Sequence, residues 1–248
     1  MKQRILVQTF LRTFAVGAAF NTKGMQNVGL SFIMEPVLTS LYGGDPSALH
    51  KARNRYLRHY NTHPFWTPLL VGIFVSMEIK IAKGLMQPDI LPKVRTTTIY
   101  ALSALGDSFF GGSFLVFWSL VCVNLAVREQ AGLLAVWIGG CWFGLLCFKA
   151  ITFARGYALG LAFLQRLKSW NLIDWGQRLK IGNGVLTGLF AVQVLPDNPL
   201  WAGPCAVGVA VLAWASLVRM ADRCLFLALV LLGVLFAPWQ WMLALVCR

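Results

Sequence analysis

Three carboxylates sit in or beside apolar stretches of this chain: Glu35, Glu78 and Asp107. An ionised carboxylate in hydrocarbon costs at least about 2.5 kcal/mol, so each needs a cavity, a partner or a cation. Glu78 has Lys80 and Lys83 close by in sequence. They stand at i+2 and i+5, off the i+3/i+4 face of a helix, so the local pair is poor and a nonlocal partner or a functional role is expected instead. Asp107 lies in "LGDSFFGGS", inside an apolar run. The glycines allow the backbone to leave the helix there, and freed backbone groups then need protein or water. Broken helices recur at transporter substrate sites near the midplane. A tight packing corner, with Asp107 capping the following helix, fits the same residues. Asn61, Thr62 and His63 lie in "HYNTHPFWTP", at the threshold of another apolar run. They offer hydrogen bonds, and Pro64 bends or starts the helix and turns carbonyls toward a cavity. An N-cap followed by an early proline is the plainer alternative. Trp118 adds a flat face on which a ligand can stack.

Phosphoryl chemistry would need a nucleophile such as a histidine or an activated cysteine. The histidines are His50, His59 and His63, all beside a basic segment, where they read as solvated or interfacial groups. The six cysteines form no CxxC pair and lie mostly in apolar runs, as small hydrophobes do. No Walker loop, metal-binding spacing or Ser/His/Asp pattern occurs. No catalytic residue, metal site or cofactor is assigned.

The elements that must position these groups are apolar. Hydrophobic residues make up 58% of the 248 and charged residues only 12%, against about 25% in soluble domains. An all-α polytopic membrane protein is expected. The net charge of +13 falls mostly between apolar runs rather than in one aromatic-interleaved patch. It fits the positive-inside rule and not nucleic-acid binding.

Residues 1–62 hold 8 of the 22 basic residues and no uninterrupted span. Their start resembles a signal peptide, but Gln8 and Arg12 interrupt it. Leu6, Phe10 and Phe14 recur at helical spacing, which predicts an amphipathic helix on a membrane or on a partner. A second helix carries Met25, Val28, Phe32 and Pro36 on one side, with a break at Glu35-Pro36. Asp45 and Pro46 start a third, with Leu49, Ala52, Tyr56 and Tyr60 as its inner stripe and Lys51, Arg55 and Arg58 opposite. The basic face should be cytoplasmic. Residues 63–195 form a membrane core with broken helices, in which 64–79 is a marginal span and 131–152 a clear one. Residues 196–248 form a closing transmembrane hairpin. About six hydrophobic segments, some re-entrant, follow the amphipathic helices.

The stretches "FNTKGMQNVGLSFIMEPVLTSLY", "LRHYNTHPFWTPLLVGIFVSMEI", "LGDSFFGG" and "ARGYALGLAFLQRL" stand in the order and approximate spacing of one family. The chain resembles, over residues 5–195, the IID membrane subunit of the mannose/fructose/sorbose family of phosphotransferase systems. Asn61, Thr62, His63, Pro64 and Phe65 match the family's Asn-Thr-x-Pro-Phe element, with His63 where glutamine is usual. Glu78 matches the acid that follows it. Gly106 and Asp107 match a Gly-Asp-Pro element, with Ser108 in place of proline.

The resemblance implies a bacterial inner-membrane, multi-pass subunit that pairs with IIC in a higher-order IIC-IID assembly to form a hexose path. The phosphorylated histidines belong to IIA and IIB, and IIB phosphorylates the sugar as it enters. On this reading Asp107, Glu78, Glu35, Asn61, Thr62 and His63 line the path or its gate, and Trp118 stacks on the sugar. Ser108 motivates an alternative, a degenerate scaffold or regulator that moves no sugar. A further alternative is an ion-coupled transporter using Asp107 and Glu78 as proton sites.

Overall fold

A computed structural model describes residues 1–194. The expected hairpin at 196–248 lies outside the described residues. Nine α-helices occur in the described part: α1 Gln3–Arg12, α2 Asn27–Tyr42, α3 Pro46–Tyr56, α4 Thr67–Ala82, α5 Ile90–Gly106, α6 Leu115–Val127, α7 Ala131–Leu159, α8 Ala162–Lys168 and α9 Leu172–Val194. A 3-10 turn, Thr13–Ala15, follows α1, and a π-helical segment, Asp107–Phe114, joins α5 to α6. No β-strand occurs among the described residues, only two isolated bridges.

Local chemistry sets the helix limits. Asp45 caps α3 by accepting from the Ser47 and Ala48 amides at 2.9 and 3.0 Å, and Pro46 starts the helix. α2 does not break at Glu35-Pro36 but runs through Pro36. Its inner face is Leu30, Ile33, Met34, Val37 and Leu38, all buried, while Val28 and Phe32 stay exposed. The chosen stripe loses because another face of the same helix carries more apolar volume. The inner stripe of α3 holds at Ala52 and Tyr56, both fully buried, while Leu49 is half-buried and Tyr60, also fully buried, lies beyond the end of the helix.

α4 is apolar and 16 residues long, and the structure wraps it in protein. Leu69, Leu70, Val71, Ile73, Phe74 and Val75 are all fully buried. Sixteen residues are short of the ~20 that cross a bilayer, and an apolar helix of this length is often a core helix. Its chief neighbour is the C-terminal part of α7. Trp66 meets Phe148, Leu69 meets Gly156, and Ser76 meets Gly160, so the two helices run parallel. Glycine makes that approach possible. A methyl at Gly72 would stand 2.4 Å from the Phe153 carbonyl oxygen, and one at Gly156 would stand 2.6 Å from that of Leu69.

Among the described residues two helices are long and apolar enough to cross a membrane: Ile90–Val127, counted through the π segment, and Ala131–Leu159. In α7, residues 131–148 carry no charge. Eighteen helical residues make about 27 Å, close to the ~30 Å hydrocarbon core. Val116, Val123, Leu133, Val136, Trp142 and Phe143 are exposed on these helices, as lipid-facing side chains are. α6 also pairs with α9 through polar contacts. The Asn124 amide donates to the Leu186 carbonyl at 3.1 Å, and Gln193 donates to Asn124 at 2.8 Å.

Candidate functional site

The segment between α3 and α4 is held by the loop that precedes α2. Met25, with φ of 58°, turns the chain in the left-handed region. The Gln26 amide then donates to the Tyr60 carbonyl at 2.8 Å, and the Tyr60 amide donates to Gly24 at 3.1 Å. The Asn27 side chain donates to the Leu57 carbonyl at 2.6 Å, and the Thr62 amide donates to the Gln26 side chain at 3.2 Å. The stretches "NTKGMQN" and "YNTHPF" are thus one structural unit, although about 36 residues separate them.

Within that unit Asn61 and His63 are half-buried and Thr62 is buried. Tyr60 Oη and Thr67 Oγ1 face each other, and two further buried polar atoms, Thr62 Oγ1 and Trp66 Nε1, have no hydrogen-bond partner among the described residues. Such groups each cost about 1–3 kcal/mol if left unpaired, so the junction has hydrogen-bonding capacity to spare. Burial pulls the His63 imidazole below its ordinary value of 6.5. Asp107 opposes that shift and Lys149 adds to it.

The π segment meets this junction. Phe110 stacks on His63 at 5.3 Å, stands edge-on to Phe65 at 4.9 Å, and also packs on Trp66 and Phe148. Gly106 fits because a methyl there would lie 2.3 Å from His63 Cβ and 2.9 Å from Trp66 Cδ1. Next to it, Asp107 is exposed. Across the junction the Lys149 ammonium lies 5.2 Å from the Phe65 ring and 4.4 Å from Phe14.

The expected break at "LGDSFFGGS" is instead a widening. Gly106 and Asp107 keep helical dihedrals, so Asp107 does not cap a new helix. The wider turn exposes carbonyls, and side chains satisfy them. Ser113 Oγ donates to the Ser108 carbonyl at 3.1 Å, and Asn183 of α9 donates to the Ser113 carbonyl at 3.1 Å. π-Helical turns are frequent at functional sites.

The other singled-out residues lie elsewhere. Glu78 is fully buried near the far end of α4. Its partner is nonlocal, one of the two roles left open by the poor lysine spacing. Arg55 donates to both carboxylate oxygens at 2.7 and 3.0 Å, Tyr42 at 2.7 Å and Tyr56 at 2.9 Å. Arg55 therefore leaves the basic outer face expected of it. Burial, reinforced by Glu78, pushes both phenols up, so they remain protonated donors. Arg95 adds a second layer, donating to the Arg55 and His59 carbonyls at 2.7 and 3.2 Å. Tyr42, Arg55, Tyr56 and Arg95 were not legible as a group, because they come from three helices.

Glu35 pairs with Arg53 on the surface, where Arg53 Nε donates at 3.0 Å. That bond holds its carboxyl below the ordinary 4.5, against a smaller opposing effect of burial. Trp118 stands about three turns beyond Asp107, half-buried, and its carbonyl accepts from Trp137 at 3.3 Å. The structure therefore brings together Asn61, Thr62, His63 and Asp107. Glu35, Glu78 and Trp118 are apart from them.

Residues 1–193 match the family described as PTS system mannose/fructose/sorbose family IID component. This chain belongs to that family. The mannose-specific EIID component of Escherichia coli K12 is 26% identical over 192 residues, covering 76% of this IID chain and 65% of the relative. The chain thus matches just under two thirds of that relative's length. The fructose permease IID component of Bacillus subtilis is 26% identical over 205 residues, covering 79% and 69%. Two solved structures share the fold. One is a chain from the mannose transporter ManYZ in complex with microcin E492, with TM-score 0.58, 22% identity and coverage of 80% and 73%. The other is described as a membrane protein, with TM-score 0.68, 19% identity and coverage of 99% and 94%.

Proposed function

We propose that this chain is the translocation subunit of a phosphoenolpyruvate-dependent sugar phosphotransferase permease in the bacterial inner membrane. It pairs with a IIC subunit, and the two border a path for a hexose. IIB phosphorylates the sugar at the cytoplasmic side, using a phosphoryl group that IIA supplies. The added charge of about −1.5 to −2 keeps the product from recrossing the hydrocarbon. This chain binds and positions and does not itself become phosphorylated.

The observation that carries the reading is the junction of the Asn61–His63 segment with the π segment. Neutral hydrogen-bonding groups, an exposed carboxylate at Asp107 and aromatic faces meet there. That combination suits a polyol. Hydroxyls can bond to Asn61 and Asp107, and a sugar's apolar face can rest on a ring. Lys149, the first charge after the uncharged stretch of α7, lies beside the junction, which supports a site near the membrane edge. Glu78 enters this reading as an anchor that ties α2 and α3 to α4, rather than as a sugar ligand.

The test is uptake of labelled hexose in cells making IIC, IIA and IIB, with and without this chain. Uptake that requires the chain and phosphoenolpyruvate supports the reading. Equal uptake in both cells favours a scaffold, the role that Ser108 at the family's proline position suggests. Uptake that collapses with the proton gradient yet ignores phosphoenolpyruvate points to ion coupling.

A further inference from the structure

The stretch made of α1 and its 3-10 turn buries Thr9 and Thr13 and packs Leu6 and Phe10 inward, with Phe10 5.5 Å from Phe153 of α7. It also carries a second apolar row. Val7, Leu11 and Phe14 follow at i, i+4 and i+7, and they are 51%, 60% and 46% exposed. Beside them runs a groove of about 570 Å³ between α1 and α2, lined by Arg4, Val7, Leu11, Arg12 and Phe32. Phe32 is 49% exposed. Arg12 folds over its ring at 4.2 Å and donates to its carbonyl at 2.8 Å. The fold therefore leaves an apolar strip open on a helix it has already used once.

The position of that strip decides what covers it. Lys149 is the first charge after the 18 uncharged residues of α7, so it marks the edge of the hydrocarbon. Its ammonium lies 4.4 Å from the Phe14 ring. Phe14 is therefore level with the membrane boundary. From Phe14 back to Val7 the helix covers at most about 10 Å. The interfacial layer is about 5–8 Å thick on each side of the core. Phe14 and Leu11 fall within it, and Val7 reaches its outer edge. Lys2 and Arg4 lie beyond, and both are exposed. Glu35, close enough to feel Arg12, is already paired with Arg53. An apolar row at interfacial depth, with basic residues on the water side, is complementary to acyl chains beneath anionic headgroups.

We propose that Val7, Leu11 and Phe14, with Phe32 across the groove, dock on the anionic phospholipid leaflet on the side of the N-terminal helices. Arg4 and Lys2 take phosphate, and an acyl chain enters the groove. This makes α1 a lateral anchor that holds the α1–α4 bundle against the bilayer.

The experiment places a photoreactive benzoylphenylalanine at Leu11 of the full chain, co-produced with a IIC partner and kept in its membrane. Asn54, exposed on α3, is the control position. The proposal expects phospholipid adducts at position 11 and none at position 54. In nanodiscs with equal phosphatidylglycerol and phosphatidylcholine, the anionic lipid should be captured in about two- to fivefold excess. K2Q with R4Q should erase that excess. An adduct to a protein chain at position 11 overturns the proposal, as does a yield no higher than at position 54. Lipid capture without anionic preference overturns the roles given to Lys2 and Arg4.

Discussion

At the scale of single residues, the acids divide by what surrounds them. Glu78 is a buried charge with one cation and two phenols on it. Removing one partner of such a pair strands the other and costs about 3–5 kcal/mol. Glu78→Gln or Arg55→Met should therefore lower the thermal midpoint in detergent sharply. Glu35→Gln should barely move it, because exposed pairs are screened. Helix spacing makes Lys80 and Lys83 poor partners for Glu78 and leaves a nonlocal partner or a functional role open. It does not reveal Arg55, because a pairing 23 residues apart depends on how α3 docks on α4. His63 supplies a pH signature. Its folded value is depressed by burial, so the stability it contributes is complete above the ordinary 6.5 and is lost as pH falls through the folded value. Unfolding midpoints taken from about pH 7.5 to 5.5 should fall, and His63→Gln should remove much of that fall.

Helix by helix, hydropathy and caps give part of the architecture. The cap at Asp45 and the inner stripe of α3 follow from residue type and period. The role of α4 does not. An apolar helix reads alike whether lipid or protein surrounds it, and here α2, α3, α5 and α7 supply the surroundings. The π segment was likewise visible only as a place where glycine gathers. Gly111 and Gly112 suggest a break, but Ser113 and Asn183 satisfy the loosened carbonyls and keep the chain helical. Gly106 is the tightest point of that element. Gly106→Ala puts a methyl into His63 and Trp66, a form of overpacking that costs about 1–3 kcal/mol. The interaction should also shift the π segment relative to His63. The expected result is a lowered unfolding midpoint together with lost uptake, measured on protein that still reaches the membrane.

On the scale of the whole molecule, the described chain is a helical bundle built around α4 and standing on two long apolar helices. The charge-free stretch of α7 ends where Lys149, Phe14 and Phe65 meet. The junction of Asn61–His63 with Asp107 lies beside this end of the stretch. Membership of the IID family was legible from ordered motifs. The assembly of two of those motifs into one clamped unit was not, since it rests on backbone bonds between Gly24–Gln26 and Tyr60. The central claim is that this junction handles the sugar. The most direct measurement is initial uptake of labelled hexose by Asn61→Ala and Asp107→Ala, each at a membrane level equal to the unaltered chain, in cells making IIC, IIA and IIB. Loss of one good hydrogen bond to a charged or buried group, about 1.5–3 kcal/mol, predicts uptake reduced roughly tenfold or more. Unchanged uptake in both variants would contradict the account.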